Sequence, residues 1–448
     1  MKAEIITIGD ELLRGEIVDS NKARIAERLL MLDLDCRHQV SVLDDPADMR
    51  DAFLRAAERS DVVLLSGGLG PTRDDMTTEV LADTFGRELV LDETSLAAIE
   101  AFFTNVGREM SDVNRKQAYF PSGADVLANP IGTAPGFSIR EGGTLFFSMP
   151  GVPRELDLMM DEQVLPRIER WMAQPDESTG VVRERHFVRA ALLRTFGMGE
   201  STLEDELLDL ARDDDAVDLG FRTTFPDNFL RPVARAKTAE EADERIARVT
   251  KAIRERLGPI VYGEANETME SLVGRLLKEQ GRSVATAESC TGGLIAELLT
   301  DVPGSSAYFL GGVVAYSNAV KTALLDVPES ILESEGAVSE SVVRAMAEGV
   351  RARFGSDYGV ATSGISGPDG GTEEKPVGLV WIALASAAGT HADSFVFPVD
   401  RTRHRRLTAQ VALDWVRRSL LEVPLVGPSL LRRSGGGSAP GGSSQGGK

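Results

Sequence analysis

Ser283-Val284-Ala285-Thr286-Ala287-Glu288-Ser289-Cys290-Thr291-Gly292-Gly293-Leu294-Ile295-Ala296-Glu297-Leu298-Leu299 is the stretch whose reading decides the fold. A mostly apolar run enters a Gly-Gly turn, and an apolar helical pattern starts directly after it. That is a strand feeding a helix, the repeating unit of α/β architecture. Such a turn places side chains at the carboxyl edge of a sheet. The N–H groups of Gly292, Gly293 and the first helical turn are expected to face the same space, where helix-end polarity favours an anion or a developing oxyanion. Ser289 is then a candidate nucleophile. The structural alternative is a turn in which Ser289 and Thr291 only cap the helix.

The α/β rhythm runs from about Asn266: a helix to Gln280, strands at 312–316, 358–363 and 377–385, and a helix from Ser339. The second strand ends in Tyr316-Ser317-Asn318-Ala319-Val320-Lys321, which sets a phenol and a lysine at a second strand-to-helix junction. Burial lowers the pKa of a lysine and turns it into a usable general base for a serine on the neighbouring strand. A lone surface lysine would be a solvated charge. A third loop, Ser363-Gly364-Ile365-Ser366-Gly367-Pro368-Asp369-Gly370-Gly371-Thr372-Glu373-Glu374-Lys375-Pro376-Val377-Gly378, is too rich in glycine to be chosen for packing, and its N–H groups could cradle a phosphate or an amide oxygen. Three such loops at strand ends point to one shared cleft. The four histidines are His38, His186, His391 and His404, so a Ser-His pair would need one of the last two. Ser289 with Lys321 is the stronger pairing, and Cys290 is the competing nucleophile.

Toward the N-terminus the same pattern recurs. Residues 3–9, 61–66 and 143–149 read as buried strands ending in tight loops, with helices over 21–32, 47–59 and 153–171 between and after them. A mostly parallel sheet covered on both faces follows. Its informative loop is Ser66-Gly67-Gly68-Leu69-Gly70-Pro71-Thr72-Arg73-Asp74-Asp75-Met76-Thr77, where glycines admit a phosphate and Asp74 and Asp75 could hold a divalent cation on a pyrophosphate. Asp10, in Gly9-Asp10-Glu11, is a further phosphate-site or metal candidate beside Gly67, Gly68 and Gly70. Asn129–Gly136 and Pro150–Pro153 are further candidate loops. The alternative is that Asp75 or Thr77 caps the next helix.

Gln174–Ser178 reads as a linker. Residues 181–262 have a different rhythm: strands near 185–191 and 217–224, and two capping boxes, Ser201-x-x-Glu204 and Thr238-x-x-Glu241, each opening a helix. This is a small α+β module. Ser434–Lys448 is glycine-rich and reads as part of a flexible tail.

A chain of 448 residues exceeds what one core serves and calls for several domains. Its formal net charge of −21 repels phosphate backbones and argues against nucleic-acid partners. Two distant cysteines, Cys36 and Cys290, exclude a disulfide framework and a cysteine-rich metal site. No signal peptide or membrane-spanning stretch is legible, so the expected location is the cytoplasm.

Residues 266–425 resemble the C-terminal domain of the CinA family (competence/damage-inducible protein A). The resemblance rests on Ala287–Gly293, Gly304–Phe309, Val314–Lys321, Gly336–Glu340 and Ser363–Gly378. It implies hydrolysis of nicotinamide mononucleotide to nicotinate mononucleotide and ammonia by a Ser/Lys amidohydrolase without a cofactor. By motif position Ser289 is the nucleophile and Lys321 the base, with Tyr316, Ser363, Arg401, Thr291, Gly292 and Gly293 around the substrate. Residues 1–175 resemble the molybdopterin-binding fold at the N-terminus of full-length members, which implies a metal-dependent ADP-ribose pyrophosphatase or a molybdenum-cofactor binding role. Residues 181–262 match the position of the KH-like domain, without a G-x-x-G clamp and with an acidic run that would repel RNA. The family further implies a homodimer, acting on small nucleotides in pyridine nucleotide salvage. Residues 426–448 fall outside the resemblance. A binding protein tied to competence or recombination, without deamidase activity, is the alternative.

Overall fold

The computed structural model describes residues 1–175, 186–212 and 214–428. Most of the linker at 174–178, the start of the strand expected near 185, and the tail beyond 428 lie outside the described residues. The chain divides into two compact units, residues 1–189 with 235–243, and residues 190–234 with 244 onward.

The first unit runs β1 (Lys2–Ile8), α1 (Asp10–Leu13), α2 (Ser20–Met31), β2 (Asp35–Val42), α3 (Pro46–Arg59), β3 (Val62–Ser66), α4 (Thr77–Thr84), β4 (Leu89–Leu91), α5 (Glu93–Asn105), β5 (Tyr119–Pro121), β6 (Asp125–Leu127), β7 (Gly136–Glu141), β8 (Thr144–Met149), α6 (Pro153–Met159) and α7 (Leu165–Met172), and the short β9 (Phe187–Ala190) ends on the first residue of the second unit. The six-stranded sheet has the order β2-β1-β3-β8-β7-β6. Its first four strands are parallel, β7 pairs antiparallel with β8, and β6 pairs antiparallel with β7. Side-chain alternation splits the apolar residues between two cores: Ala3 and Ile5 of β1 pack with α2 and α6, whereas Ile6 and Ile8 pack with α3 and α4. Two buried faces are what the near-continuous apolar runs require. The helix expected over 153–171 is present as α6 and α7, joined by a π-helical turn at Met160–Val164.

The second unit contains two sheets. In the small module, β10 (Leu193–Thr195), β11 (Val217–Thr224), β12 (Asp227–Ala236) and β13 (Val261–Glu264) form an antiparallel sheet of order β11-β12-β10-β13, backed by α8 (Glu200–Arg212) and α9 (Ala239–Leu257). Thr238 caps α9, its Oγ1 accepting from the Glu241 N–H at 3.1 Å. Ser201 does not cap α8: the helix already begins at Glu200, with the Leu203 N–H bonded to Gly199 O at 2.9 Å. A glycine that reaches the cap position first leaves the serine inside the first turn.

The C-terminal domain runs α10 (Met269–Glu279), β14 (Val284–Glu288), α11 (Leu294–Thr300), β15 (Phe309–Val314), α12 (Asn318–Leu325), α13 (Glu329–Glu335), α14 (Glu340–Phe354), β16 (Tyr358–Gly364), β17 (Leu379–Ser386), β18 (Gly389–Val396) and α15 (Arg401–Leu420). The sheet order is β15-β14-β16-β17-β18, with the first three strands parallel. Ala285 and Ala287 of β14 face the core under α14, while Val284 faces the core shared with α10, α11 and α15. The ends of β14, β15 and β16 therefore lie side by side, which is what assembles the three loops.

Candidate active site

Ser289 follows β14 directly. Its N–H donates to Thr362 O on β16 at 3.0 Å, so the turn is registered on the neighbouring strand. Gly292 and Gly293 have φ of 62° and 96°, left-handed conformations that a side chain resists, and they return the chain into α11. The Thr291 hydroxyl lies 2.8 Å from the Thr362 hydroxyl, and Thr291 O accepts from Arg405 Nε at 3.1 Å and Nη2 at 2.6 Å.

Lys321, on α12, reaches this turn from the second loop. Its Nζ is 3.3 Å from Ser289 Oγ and donates to Ala315 O at 2.8 Å. The side chain is buried at 1% exposure, and that burial pushes its pKa below the ordinary lysine value. Burial thus favours loss of the Lys321 proton beside a half-buried serine hydroxyl. Cys290 is buried in the core, where burial pushes its thiol up to about 12. A thiol held protonated is no nucleophile. The two histidines open to a Ser-His pairing are occupied elsewhere: His404 Nε2 lies 3.1 Å from Gly378 O, and the His391 ring packs edge-on to Trp415.

Tyr316 is 64% exposed, and its hydroxyl accepts from Arg401 Nη2 at 3.4 Å. Arg401 Nη1 donates to Gly367 O at 2.9 Å, which joins the second loop to the third. Ser363 is buried, and its hydroxyl donates to Ala337 O at 2.6 Å. The structure thus brings Ser289, Lys321, Thr291 and Gly292 into one turn-centred cluster, groups Tyr316 with Arg401, and commits the Ser363 proton to the Gly336–Glu340 segment.

The oxyanion expectation needs correction. Glu288, the last residue of β14, turns its buried carboxylate onto the start of α11: Oε2 accepts from the N–H groups of Gly293 at 2.9 Å and Ile295 at 3.1 Å, and Oε1 from Ala296 at 2.8 Å. The Gly292 N–H is spent on Ser289 O at 3.2 Å. The helix start already holds an anion, and it is the protein's own. Among the described residues, the N–H groups of Cys290 and Thr291 donate to no backbone oxygen, and the Cys290 thiol is the acceptor beside them.

In the first unit, the loop after β3 opens on a cleft of about 470 Å³ lined by Gly67, Gly68, Leu69 and Gly70 and by five carboxylates, Glu11, Asp44, Asp74, Asp75 and Glu155. A Cβ on Gly68 would fall 2.1 Å from Thr77 Oγ1, so glycine is required for the loop to close on α4. Among the described residues the N–H groups of Gly68, Leu69 and Gly70 have no protein acceptor. Asp10 is drawn away: its Oδ1 accepts from the Asp44 N–H at 3.1 Å and Oδ2 pairs with Arg14, leaving Glu11 and Asp44 on the cleft. Asp75 Oδ2 accepts from the Thr72 N–H at 2.9 Å and from the Thr72 hydroxyl, while Asp74 is exposed. No group of three or more His, Cys, Asp or Glu side chains could hold a metal ion among the described residues. Asp74 and Asp75 both line the cleft, Asp75 with one carboxylate oxygen engaged by its own loop. This is compatible with the expectation of a divalent cation that arrives on a pyrophosphate and needs only one or two protein ligands.

Glu288, Arg405, Thr362, Glu11, Asp44 and Glu155 escaped the sequence reading. Glu288 carried a signal in retrospect: a carboxylate as the last residue of a buried strand, directly before a Gly-Gly helix start. No described helix is long and apolar enough to cross a membrane.

Comparison with known proteins agrees along the chain. Residues 4–170 match a family model described as a probable molybdopterin binding domain, 191–263 the damage-inducible protein CinA KH domain, and 266–420 the CinA C-terminal domain. A CinA-like protein of Geotalea uraniireducens is 42% identical over 426 residues, 94% of this chain and 98% of that protein. A CinA-like protein of Geobacter sulfurreducens is 42% identical over 421 residues, 94% of this chain and all of that protein. Among solved structures, a CinA of unknown function from Thermoplasma acidophilum is 37% identical, covering 37% of this chain and 96% of that one with a TM-score of 0.35. The chain belongs to the CinA family, in the form that joins a molybdopterin-binding-like domain, a KH-like module and a CinA C-terminal domain.

Proposed function

We propose that the C-terminal domain hydrolyses the carboxamide of nicotinamide mononucleotide to nicotinate mononucleotide and ammonia, with Ser289 as nucleophile and Lys321 as base. The observation that carries this reading is the buried Lys321 Nζ 3.3 Å from Ser289 Oγ, with no histidine and no ionised cysteine to compete. Neutral Lys321 takes the Ser289 proton as Oγ attacks the carboxamide carbon. The oxyanion falls to the N–H groups of Cys290 and Thr291, which donate to no backbone oxygen and lie in the position that follows a nucleophile in many acyl-transfer sites. Lys321 returns the proton to the departing amine, which leaves as ammonia. Water, deprotonated by Lys321, then cleaves the acyl-serine and regenerates the hydroxyl. Arg401 and Tyr316 stand at the exposed rim, suited to the nucleotide part of the substrate.

For the N-terminal domain the proposal is hydrolysis of the pyrophosphate of ADP-ribose. The free N–H groups of Gly68, Leu69 and Gly70 suit phosphate oxygens. The cleft's five carboxylates and lack of lining cations make a phosphate substrate dependent on accompanying charge, and a divalent cation would supply it by neutralising the pyrophosphate. The chain would act in the cytoplasm as a homodimer in pyridine nucleotide salvage.

Product analysis of the purified protein with each nucleotide, with and without divalent metal, tests both halves. Ser289→Ala and Lys321→Ala each abolish ammonia release and leave ADP-ribose hydrolysis intact. Ammonia release surviving Ser289→Ala and lost in Cys290→Ala would overturn the assignment. Molybdopterin binding without ADP-ribose turnover would replace the N-terminal reading with the cofactor-binding one.

A further inference from the structure

The turn that carries Ser289 is gripped from two sides by charged side chains that touch neither reacting group. From the strand side, Glu288 receives three backbone N–H groups of Gly293, Ile295 and Ala296. A buried carboxylate is costly unless donors converge on it, and here both oxygens are supplied. The same residue's carbonyl accepts from the Ala315 N–H at 2.8 Å, and Ala315 O in turn accepts from Lys321 Nζ at 2.8 Å. Glu288 therefore fixes the turn bearing the nucleophile through its side chain and the peptide orienting the base through its backbone. From the opposite side, Arg405 on α15 places two N–H groups on Thr291 O, two residues beyond Ser289. Neither side chain has a hydrogen bond to Ser289 or Lys321, so neither is a catalytic residue.

On this geometry we infer that Glu288 and Arg405 are positioning residues that fix the turn between them and so hold Ser289 Oγ within reach of Lys321. Glu288 has a second consequence. By filling the α11 helix start with an internal anion, it denies that site to substrate carboxylate or phosphate, so the substrate's anionic group must be bound elsewhere. The inference rests on the Ser289 reading proposed above, and its test separates the two.

Glu288→Gln is nearly isosteric but turns one acceptor into a donor facing an N–H group. Arg405→Lys keeps the charge and loses the paired contact. Two readouts are needed on the full chain: steady-state deamidation of nicotinamide mononucleotide, and the rate at which a fluorophosphonate labels Ser289, which reports nucleophile alignment without reference to substrate. Glu288→Gln is expected to lower kcat about a hundredfold, the scale of an ångström-level misplacement, with KM within about twofold and labelling slowed in parallel. Arg405→Lys is expected to lower kcat and labelling about tenfold. The pH midpoint of the acid limb stays where Lys321 sets it in both variants. Wild-type labelling rates in folded Glu288→Gln and Arg405→Lys overturn the inference. If Glu288→Gln is recovered only unfolded, Arg405→Lys decides: slowed labelling supports the inference and unchanged labelling overturns it. A wild-type protein labelled at Ser289 but inert toward nicotinamide mononucleotide overturns the substrate reading alone, while slowed labelling in the variants still supports positioning.

Discussion

The two glycine-rich turns, one after β3 and one after β14, look alike in sequence and do opposite things with their backbone. Each follows a buried parallel strand, and each leads on to a helix. After β14 the strand ends in Glu288, whose carboxylate consumes N–H groups at the helix start, and the proposed chemistry rests on side chains, Ser289 and Lys321. After β3 the strand ends in Ser66, whose hydroxyl donates to Pro150 O at 3.3 Å, and the N–H groups of Gly68, Leu69 and Gly70 stay open to the cleft. A glycine-rich loop at a strand end is thus not an anion site by itself. What decides it is whether the last strand residue supplies an anion of its own.

The largest effect that would break this comparison is at Gly68. Its φ is +66°, and a Cβ there would stand 2.1 Å from Thr77 Oγ1, so Gly68→Ala must deform the loop. ADP-ribose hydrolysis is expected to fall at least about a hundredfold, with ammonia release unchanged, when both are assayed on the same preparation. Equal losses in the two activities would show that the loops are not independent.

Most of this contrast was not legible in the sequence, and the reason is physical. Period and turn chemistry located β1, β3, β8, β14 and β16, because buried parallel strands and Gly-Gly exits are local signals. They placed Ser289 and Lys321 on adjacent strand ends, which is as far as local pattern reaches. They did not locate β18 or α15. The exposed face of β18 breaks the apolar run, and α15 is buried over most of its length, with charged residues such as Asp414, Arg417 and Arg418 inside, so its pattern lacks a clear polar face. Arg405 was lost with that helix. The fate of an N–H group, spent on Glu288 or left open at Gly68, depends on rotamers and distances that no spacing encodes.

A second way to sharpen the comparison is pH. Burial lowers the pKa of Lys321, and the base must be neutral, so kcat/KM for ammonia release should climb about tenfold per pH unit below the Lys321 pKa and level off above it. The midpoint is expected clearly below 10.5, the ordinary lysine value. ADP-ribose hydrolysis, for which no lysine base is proposed, should lack that limb. A midpoint at or above 10.5 would remove Lys321 as the base.

The smallest effect on chemistry, and the last check on what converging donors do for a buried carboxylate, is at Asp227 in the small module. Where Glu288 meets three backbone N–H groups, Asp227 meets two uncharged side chains, Tyr262 Oη at 2.6 Å and Gln410 Nε2 at 2.9 Å, with Arg194 at 3.5 Å. Burial dominates there and pushes its pKa up to about 6. A carboxyl whose folded pKa exceeds its unfolded value stabilises the fold fully below the unfolded value of about 3.9, and that contribution is lost as pH rises through about 6. The difference between those two values corresponds to roughly 3 kcal/mol. Asp227→Asn removes the titration at the cost of about 1 kcal/mol for one hydrogen bond. Denaturant unfolding of the two proteins should therefore show wild type more stable near pH 4 and the variant more stable near pH 7, with ammonia release unaffected. A stability difference that stays constant between those pH values would mean that burial does not govern the Asp227 carboxyl.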